Sequence, residues 1–357
     1  MGMKKIAFLI MNMDNKGGTE RVTSMIANAL SDKYQTFIFS CQKGENPYFH
    51  VDKHVIVESL HGEQTKNTIL RKVKVFRELH SKIEKYDVDV VVAVDVALYL
   101  YLYPLQLTKQ CKCIAWEHFN YYISPNKMVK FGRKLAAKHA DCLIVLGKND
   151  VNNYKQNLPR IKNIKYIYNP VAVSTSGQAD IDSKRVMAAG RLEDQKGFDL
   201  LIDAWSKIEK DCPEWHLDIF GEGSKREELE QQIIDLGLNS VFIKGYANNI
   251  AEEFKKSSVF VLSSRYEGFG LVLIEAQANG LPCVSFNCKE GPAEIITDNK
   301  NGFLVENGNV SEFANKLKQV LTDDQLRASF ARHAKDNLAR FDILSIKSEW
   351  EKVIENL

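Results

Sequence analysis

The chain reads as an α/β protein of two doubly wound domains, each a parallel sheet wrapped by helices. Three observations carry that reading. At 357 residues the chain exceeds what one ordinary hydrophobic core holds. Short β-rich apolar runs alternate with longer amphipathic runs, the pattern of strands covered on both faces. The alternation also stops near residue 171 and then restarts, with a loose segment from Ala172 to Ser183 marking the joint. The expected domains are 1–170 and 171–340, leaving 341–357 as a closing segment.

In the first half, Lys4–Met11 is a strand, and the polar loop after it carries Gly17 and Gly18. Thr19–Leu30 has helical spacing through Val22, Met25, Ile26, Ala29 and Leu30. Thr36–Ser40 is the next strand and Asn67–Lys85 a basic helix. The most apolar stretch runs from Val88 to Leu107. Asp89 and Asp95 interrupt it and it contains Pro104, whereas a spanning helix needs about 20 apolar residues. It reads instead as a buried strand, Val88–Val94, followed by a short buried helix. Cys113–Trp116 is a strand running into EHFNYY (117–122). Lys127–His139 is a second basic helix, Cys142–Leu146 a strand, and YIYNPV closes the half at Val171.

In the second half the strands are Arg185–Gly190, His216–Phe220, Val241–Lys244, Val259–Leu262 and Pro282–Phe286. Helices are expected at Phe198–Lys210, Lys225–Leu236, Ile250–Ser257, Leu271–Asn279, Asp324–Ala339 and Ile343–Asn356. Ser224 and Glu227 have capping-box spacing, which predicts the start of the second of these helices.

Composition sets bounds on function. The net charge of +2 hides an asymmetry: residues 1–170 carry 26 Lys and Arg against 15 Asp and Glu, residues 171–357 carry 22 against 31. A +11 half therefore precedes a −9 half, and the first half alone is suited to meet something anionic. The seven cysteines are odd in number and include no C-x-x-C pair, and no leader-like stretch opens the chain. Both predict a reducing, cytoplasmic setting. Cys111 and Cys113 lack a second ligand pair for zinc and read as small buried groups. No metal and no cofactor are expected.

The run SSRYEGFGLVLIEA, Ser263 to Ala276, decides the functional reading. It joins the end of a strand, a glycine-bearing turn and the start of a helix. Such a turn presents unpaired N–H groups and a positive dipole end, a setting for phosphate. Glu267 in the turn and Glu275 on the helix would repel phosphate but suit hydroxyls. A diphosphate flanked by hydroxyl-rich rings is a nucleotide sugar. Arg191 and Lys196 follow the first strand of the second domain, so they supply cations where negative charge grows on a departing diphosphate. Both groups sit beyond the carboxyl ends of strands, where open α/β sheets bind ligands.

The E-x7-E spacing within YEGFGLVLIEAQANGLP, followed by CVSFN, resembles the signature of the family-four retaining glycosyltransferases. The resemblance spans the chain and is sharpest in its second half. It implies the GT-B fold, two facing Rossmann-like domains with the closing helix packed back on the first. It also implies roles. Glu267 matches the glutamate that holds donor-sugar hydroxyls, and Glu275 the one that holds the ribose. Phe269, Gly270 and Leu271 would offer amides to the diphosphate. Arg191 and Lys196 match an R-x4-K pair that works without a metal, and Lys244–Tyr246 resembles the base-binding stretch. Gly17 and Gly18 would approach the donor phosphates and the acceptor. They lack the G-x-G-x-x-G spacing of a dinucleotide site. His118 matches a histidine near the donor sugar, with Glu117 a second candidate there. No protein nucleophile is called for, since the departing phosphate oxygen can take the acceptor's proton.

The implied reaction moves a hexose or N-acetylhexosamine from a UDP-linked donor onto a polyprenyl-diphosphate-linked glycan, in bacterial surface polysaccharide or glycoprotein glycan assembly. Basic helices at Arg71–Lys85 and Lys127–Lys138 predict contact with an anionic membrane on its cytoplasmic side. In the second, Lys127, Lys130, Lys134 and Lys138 recur at helical spacing, with Met128, Phe131 and Leu135 on another face. No reading motif accompanies the charge, so nucleic acid is not expected. Three alternatives stay open: a GT-B UDP-sugar 2-epimerase, a non-catalytic GT-B partner subunit, and a synthase using a free sugar or sugar phosphate.

Overall fold

The computed structural model describes residues 2–65, 67–123, 126–171 and 177–357. The chain divides into two compact units, Met1–Ala172 with Phe341–Leu357, and Val173–Arg340. The expected joint from Ala172 to Ser183 opens in residues 172–176, which lie outside the described residues.

Unit 1 runs β1 (Lys5–Ile10), α1 (Gly18–Leu30), β2 (Gln35–Ser40), β3 (Val55–Ser59), α2 (Thr68–Tyr86), β4 (Val90–Val94) and α3 (Tyr99–Thr108). It continues through β5 (Lys112–Trp116), α4 (Lys127–His139), β6 (Cys142–Val145), α5 (Lys148–Asn157) and β7 (Ile164–Tyr166). The sheet is ordered β3-β2-β1-β4-β5-β6-β7 and all its pairings are parallel. Strands such as VVVAV in β4 are buried at every position, so they carry no period-two pattern. Two basic helices start on asparagine caps: Asn67 accepts from the amides of Ile69 and Leu70, and Asn126 from those of Met128 and Val129.

Unit 2 runs β8 (Arg185–Ala189), α6 (Phe198–Ser206), β9 (His216–Phe220), α7 (Arg226–Asp235), β10 (Val241–Gly245), α8 (Ile250–Lys255) and β11 (Val259–Leu262). Then come α9 (Leu271–Ala278), β12 (Cys283–Asn287), α10 (Pro292–Ile295), β13 (Gly302–Glu306), α11 (Val310–Thr322) and α12 (Asp324–His333). Its parallel sheet is ordered β10-β9-β8-β11-β12-β13. In both sheets the order reverses beside the first strand, between β1 and β4 and between β8 and β11. That reversal leaves a crevice at the strands' carboxyl ends.

The last helix, α13 (Ile343–Glu355), belongs to unit 1. Trp350 is fully buried, edge-on to Phe8 at 6.0 Å and to Trp116 at 4.8 Å between ring centroids. Lys4 Nζ donates to the Ile354 carbonyl at 3.0 Å, and the Tyr34 hydroxyl to Glu355 at 2.6 Å.

Two expectations are corrected. Ser224 does not cap α7, which starts on Lys225 with no side-chain cap. Glu193 from the loop after β8 takes both the Ser224 amide, at 3.0 Å, and its hydroxyl, at 2.8 Å. The helix expected over Asp324–Ala339 ends at His333, and the chain closes through a 3-10 turn at Leu338–Phe341. All seven cysteines are buried and free. No helix among the described residues is long and apolar enough to cross a membrane.

Candidate active site

The loops after β8 and β11, the strands flanking unit 2's reversal point, carry Arg191, Lys196 and Glu267. The β8 loop ends in a 3-10 turn, Asp194–Lys196, closed by Gly197 at φ 60°. A Cβ at Gly197 would strike the carbonyl oxygen of Ser263, so the glycine lets this loop press onto the end of β11. Cross-links fix the contact: Ser263 Oγ donates to the Lys196 carbonyl at 2.9 Å, and the Arg265 amide to the Gln195 carbonyl at 2.9 Å. Arg265 also grips Asp199 through two bonds of 2.8 and 2.6 Å.

That framework sets Lys196 Nζ 2.6 Å from Glu267 Oε1, with both side chains largely buried. Ser264 Oγ donates to the same carboxylate oxygen at 2.6 Å. Lys196 lies over Gly190, whose missing side chain leaves room for its methylenes. Arg191 is exposed, and its Nη2 donates to Gln195 at 3.3 Å. Gly270, at φ 91°, precedes α9, and no side chain caps that helix. Glu275 is buried on α9. Cys288, after β12, borders the pair: burial pushes its thiol up to about 12, the Glu267 charge adding and Lys196 opposing. The sequence reading missed Ser264 and Gln195, although both sit within its own motifs. It missed Cys288 because nothing in sequence placed it there. Tyr246 follows β10, two strands from β8, and is 70% exposed.

In unit 1, Gly17 caps α1 in an extended conformation, with the Glu20 carboxylate close against it. The loop after β5 is built around Arg133 of α4. Its Nε meets Glu117 Oε2 at 2.6 Å, Nη1 donates to the Tyr121 carbonyl at 2.7 Å, and Nη2 to that of Asn120 at 2.9 Å. Glu117 is fully buried and also accepts from the Tyr154 hydroxyl at 2.7 Å and the Phe119 amide at 3.1 Å. Glu117 is therefore not at a sugar face, because its carboxylate is wholly engaged in folding this loop. Arg133 is likewise withdrawn from the basic surface of α4. Beside them, His118 packs against Trp116 with ring centroids 4.4 Å apart and planes tilted by 50°, and its buried Nε2 has no hydrogen-bond partner among the described residues. Burial pushes its pKa down to about 3, so the imidazole is neutral at working pH.

Of the residues singled out in sequence, Arg191, Lys196, Glu267, Phe269, Gly270, Leu271 and Glu275 lie in unit 2, and Gly17, Gly18 and His118 lie in unit 1. Among the described residues no group of three or more His, Cys, Asp or Glu side chains is placed to hold a metal ion.

Comparison with known proteins gives concordant matches. The profile of Glycosyl transferases group 1 matches residues 175–337, and that of Glycosyltransferase Family 4 matches residues 16–175. The amylovoran biosynthesis glycosyltransferase AmsD of Erwinia amylovora is 32% identical over 99% of this chain and 100% of its own. A Campylobacter jejuni α-1,4-N-acetyl-D-galactosaminyltransferase, named for a diNAcBac-PP-undecaprenol-linked substrate, is 30% identical over 99% of this chain and 98% of its own. Among solved structures, Anabaena HepE in complex with UDP has a TM-score of 0.83 over 99% of this chain and 100% of that one, at 22% identity. That last likeness concerns the fold alone.

Proposed function

The chain belongs to the family-four glycosyltransferases of GT-B fold, and on that premise we propose that it is a retaining, metal-independent hexosyltransferase. It moves a hexose or N-acetylhexosamine from a UDP sugar onto a polyprenyl-diphosphate-linked glycan, in bacterial surface polysaccharide or glycoprotein glycan assembly. It works at the cytoplasmic face of the membrane and needs no cofactor. The observation that carries this reading is the Lys196–Glu267 pair at the reversal point of unit 2's sheet. The relatives' printed roles, amylovoran biosynthesis and transfer to an undecaprenol-linked glycan, support the acceptor class.

The pair neutralises itself without a donor. A diphosphate offers the ammonium a second anion, and the sugar hydroxyls offer the carboxylate donors in place of the ammonium. Arg191, Lys196 and the amides of Phe269, Gly270 and Leu271 then hold charge as it grows on the departing diphosphate. The bond from the anomeric carbon to the phosphate oxygen breaks and its electron pair leaves with UDP. The acceptor oxygen bonds the same face, and its proton goes to the departing phosphate oxygen. Glu275 holds the ribose hydroxyls, and neutral His118 contributes a hydrogen bond on the sugar side.

The test begins with melting temperatures in UDP-, GDP-, ADP- and CDP-sugars, because a ligand of the folded state raises them. A UDP sugar is expected to give the shift. With that donor and polyprenyl-linked glycans, Glu267→Gln should cut kcat at least about tenfold in folded protein, and Lys196→Ala should raise donor KM while lowering kcat. The rate should survive EDTA. Full activity in both folded variants rejects the site assignment. A donor altered at the sugar with no acceptor added would make the protein an epimerase.

A further inference from the structure

Unit 1 repeats the topological device that builds the donor site of unit 2. Its sheet order reverses between β1 and β4, and the register Leu9 to Ala93 sets the ends of those strands side by side. The loop after β1 ends in Gly17, and Gly18 opens α1. The residue that leaves β4 is Asp95.

We propose that Asp95 is the acceptor-binding carboxylate of this protein, a group that takes hydrogen bonds from the hydroxyls of the sugar that receives the transferred residue. Calling that sugar an acceptor rests on the transferase reading above.

Asp95 holds φ 92°, a region that residues with side chains enter only under backbone strain. Its backbone is pinned on both sides: its amide donates to the Trp116 carbonyl at 2.8 Å, and its carbonyl accepts from the Leu98 amide at 3.0 Å. Oδ1 accepts from the Ala97 amide at 2.7 Å, which fixes the carboxylate's direction. Oδ2 has no hydrogen-bond partner among the described residues, and the side chain is half-buried. The next turn of chain is clamped from behind, since a Cβ on Gly132 of α4 would strike the Val96 carbonyl.

A turn alone does not call for an aspartate here. Glycine would take this φ without strain, and asparagine would keep the bond to Ala97. The charge is itself unfavourable for folding: burial, and then the neighbouring Glu117, push the Asp95 carboxyl up to about 6, against the Ala97 amide and Arg133. Strain and an opposed charge held at the sheet's reversal point mark a group retained for its ligand. With Glu117 beside it, the group repels an anion, so the ligand is a polyol and not a phosphate.

The test uses the full chain with Asp95→Asn and Asp95→Gly. Saturation-transfer NMR is run against millimolar methyl glycosides of GlcNAc, GalNAc, glucose and galactose, and UDP affinity is measured by calorimetry on the same proteins. Wild type should give transfer to at least one glycoside. The Asn variant should weaken it by about tenfold or more and the Gly variant should abolish it, both keeping UDP affinity within about twofold. Both should melt no lower than wild type, because strain or charge has been relieved; if the Asn variant fails to fold, the Gly variant decides. No transfer to wild type, undiminished transfer in the folded variants, or an equal loss of UDP affinity overturns the proposal. UDP that fails to bind wild type while glycoside binding depends on Asp95 would sink the donor reading and uphold this one.

Discussion

Arg133 shows what a single buried charge does for the loop that presents His118. Its three donor groups take one carboxylate and two loop carbonyls, so the polar stretch after β5 folds around it. Removing one partner of such a pair strands the other, at about 3–5 kcal/mol. Asp150 borders the same network, accepting from the Tyr121 amide at 3.0 Å and from Asn153 at 3.2 Å. Burial first, and Glu117 after it, push its carboxyl from the ordinary 3.8 to about 6, against those two donors and Arg133. A raised folded pKa means that the proton stabilises the fold below about 4, and that this stability is lost as pH rises through about 6. Asp150→Asn imitates the protonated form and keeps an acceptor for Tyr121. Its stability gain over wild type should be near zero below about pH 4 and reach on the order of 1–3 kcal/mol by about pH 8. Chemical denaturation across that range measures it, and a gain that is flat or shrinks with pH contradicts the account.

Among elements, the β8 turn shows most directly how a backbone position sets the chemistry. Gly197 is the point at which two loops touch, and Lys196 reaches Glu267 because they do. Gly237 offers a control, with φ 64° but open space around it. Gly237→Ala should cost about 1–2 kcal/mol from conformation alone. Gly197→Ala carries that cost and a backbone collision, so it should melt lower still and weaken donor binding by about tenfold or more. Equal melting temperatures for the two variants would show that the contact at Ser263 is not what Gly197 provides. Elements were legible in sequence where their own residues carry the signal, and hidden where the fold supplies it. Strands such as VVVAV fall where a continuous apolar run puts them, and helices with a clear apolar stripe where periodicity does. Helix α5, KNDVNNYKQN, buries little besides Asp150 and Tyr154, so it shows no stripe. Strands β3 and β13, VIVES and GFLVE, are edge strands that each include a glutamate, so their own residues make no continuous apolar run and pairing with one neighbour defines them. Helix α11 was not placed, although its signals stand in the sequence: Asn309 caps it, and Phe313, Ala314, Leu317, Val320 and Leu321 form its buried stripe. The capping box at Ser224 failed because its partner, Glu193, comes from a distant loop. For the same reason spacing found Lys196 and Glu267 separately, but their pairing is a product of the fold, and Asp95 stands out only through its φ and the sheet order.

For the whole molecule, the division of charge bears on where it would meet the proposed lipid-linked acceptor. The basic half is the one that includes α4, where Lys127, Lys130, Lys134 and Lys138 are exposed and make no ion pair among the described residues. Among these lysines Phe131 is 59% exposed and Met128 38% exposed, so apolar groups share the basic surface with them. Lysines near an anionic leaflet contribute about 1 kcal/mol each, and an apolar side chain adds a component that salt does not screen. Arg133 has no place in this surface, since it is buried against Glu117. Reversing Lys127, Lys130 and Lys134 to Glu should therefore lower partitioning onto phosphatidylglycerol vesicles by about a hundredfold or more, leaving binding to neutral vesicles unchanged. Phe131→Ser should leave the salt-sensitive part in place and remove binding that persists at high ionic strength. Co-sedimentation over a salt series separates the two. If the triple reversal partitions like wild type at low salt, the basic face of α4 does not dock the enzyme on its membrane.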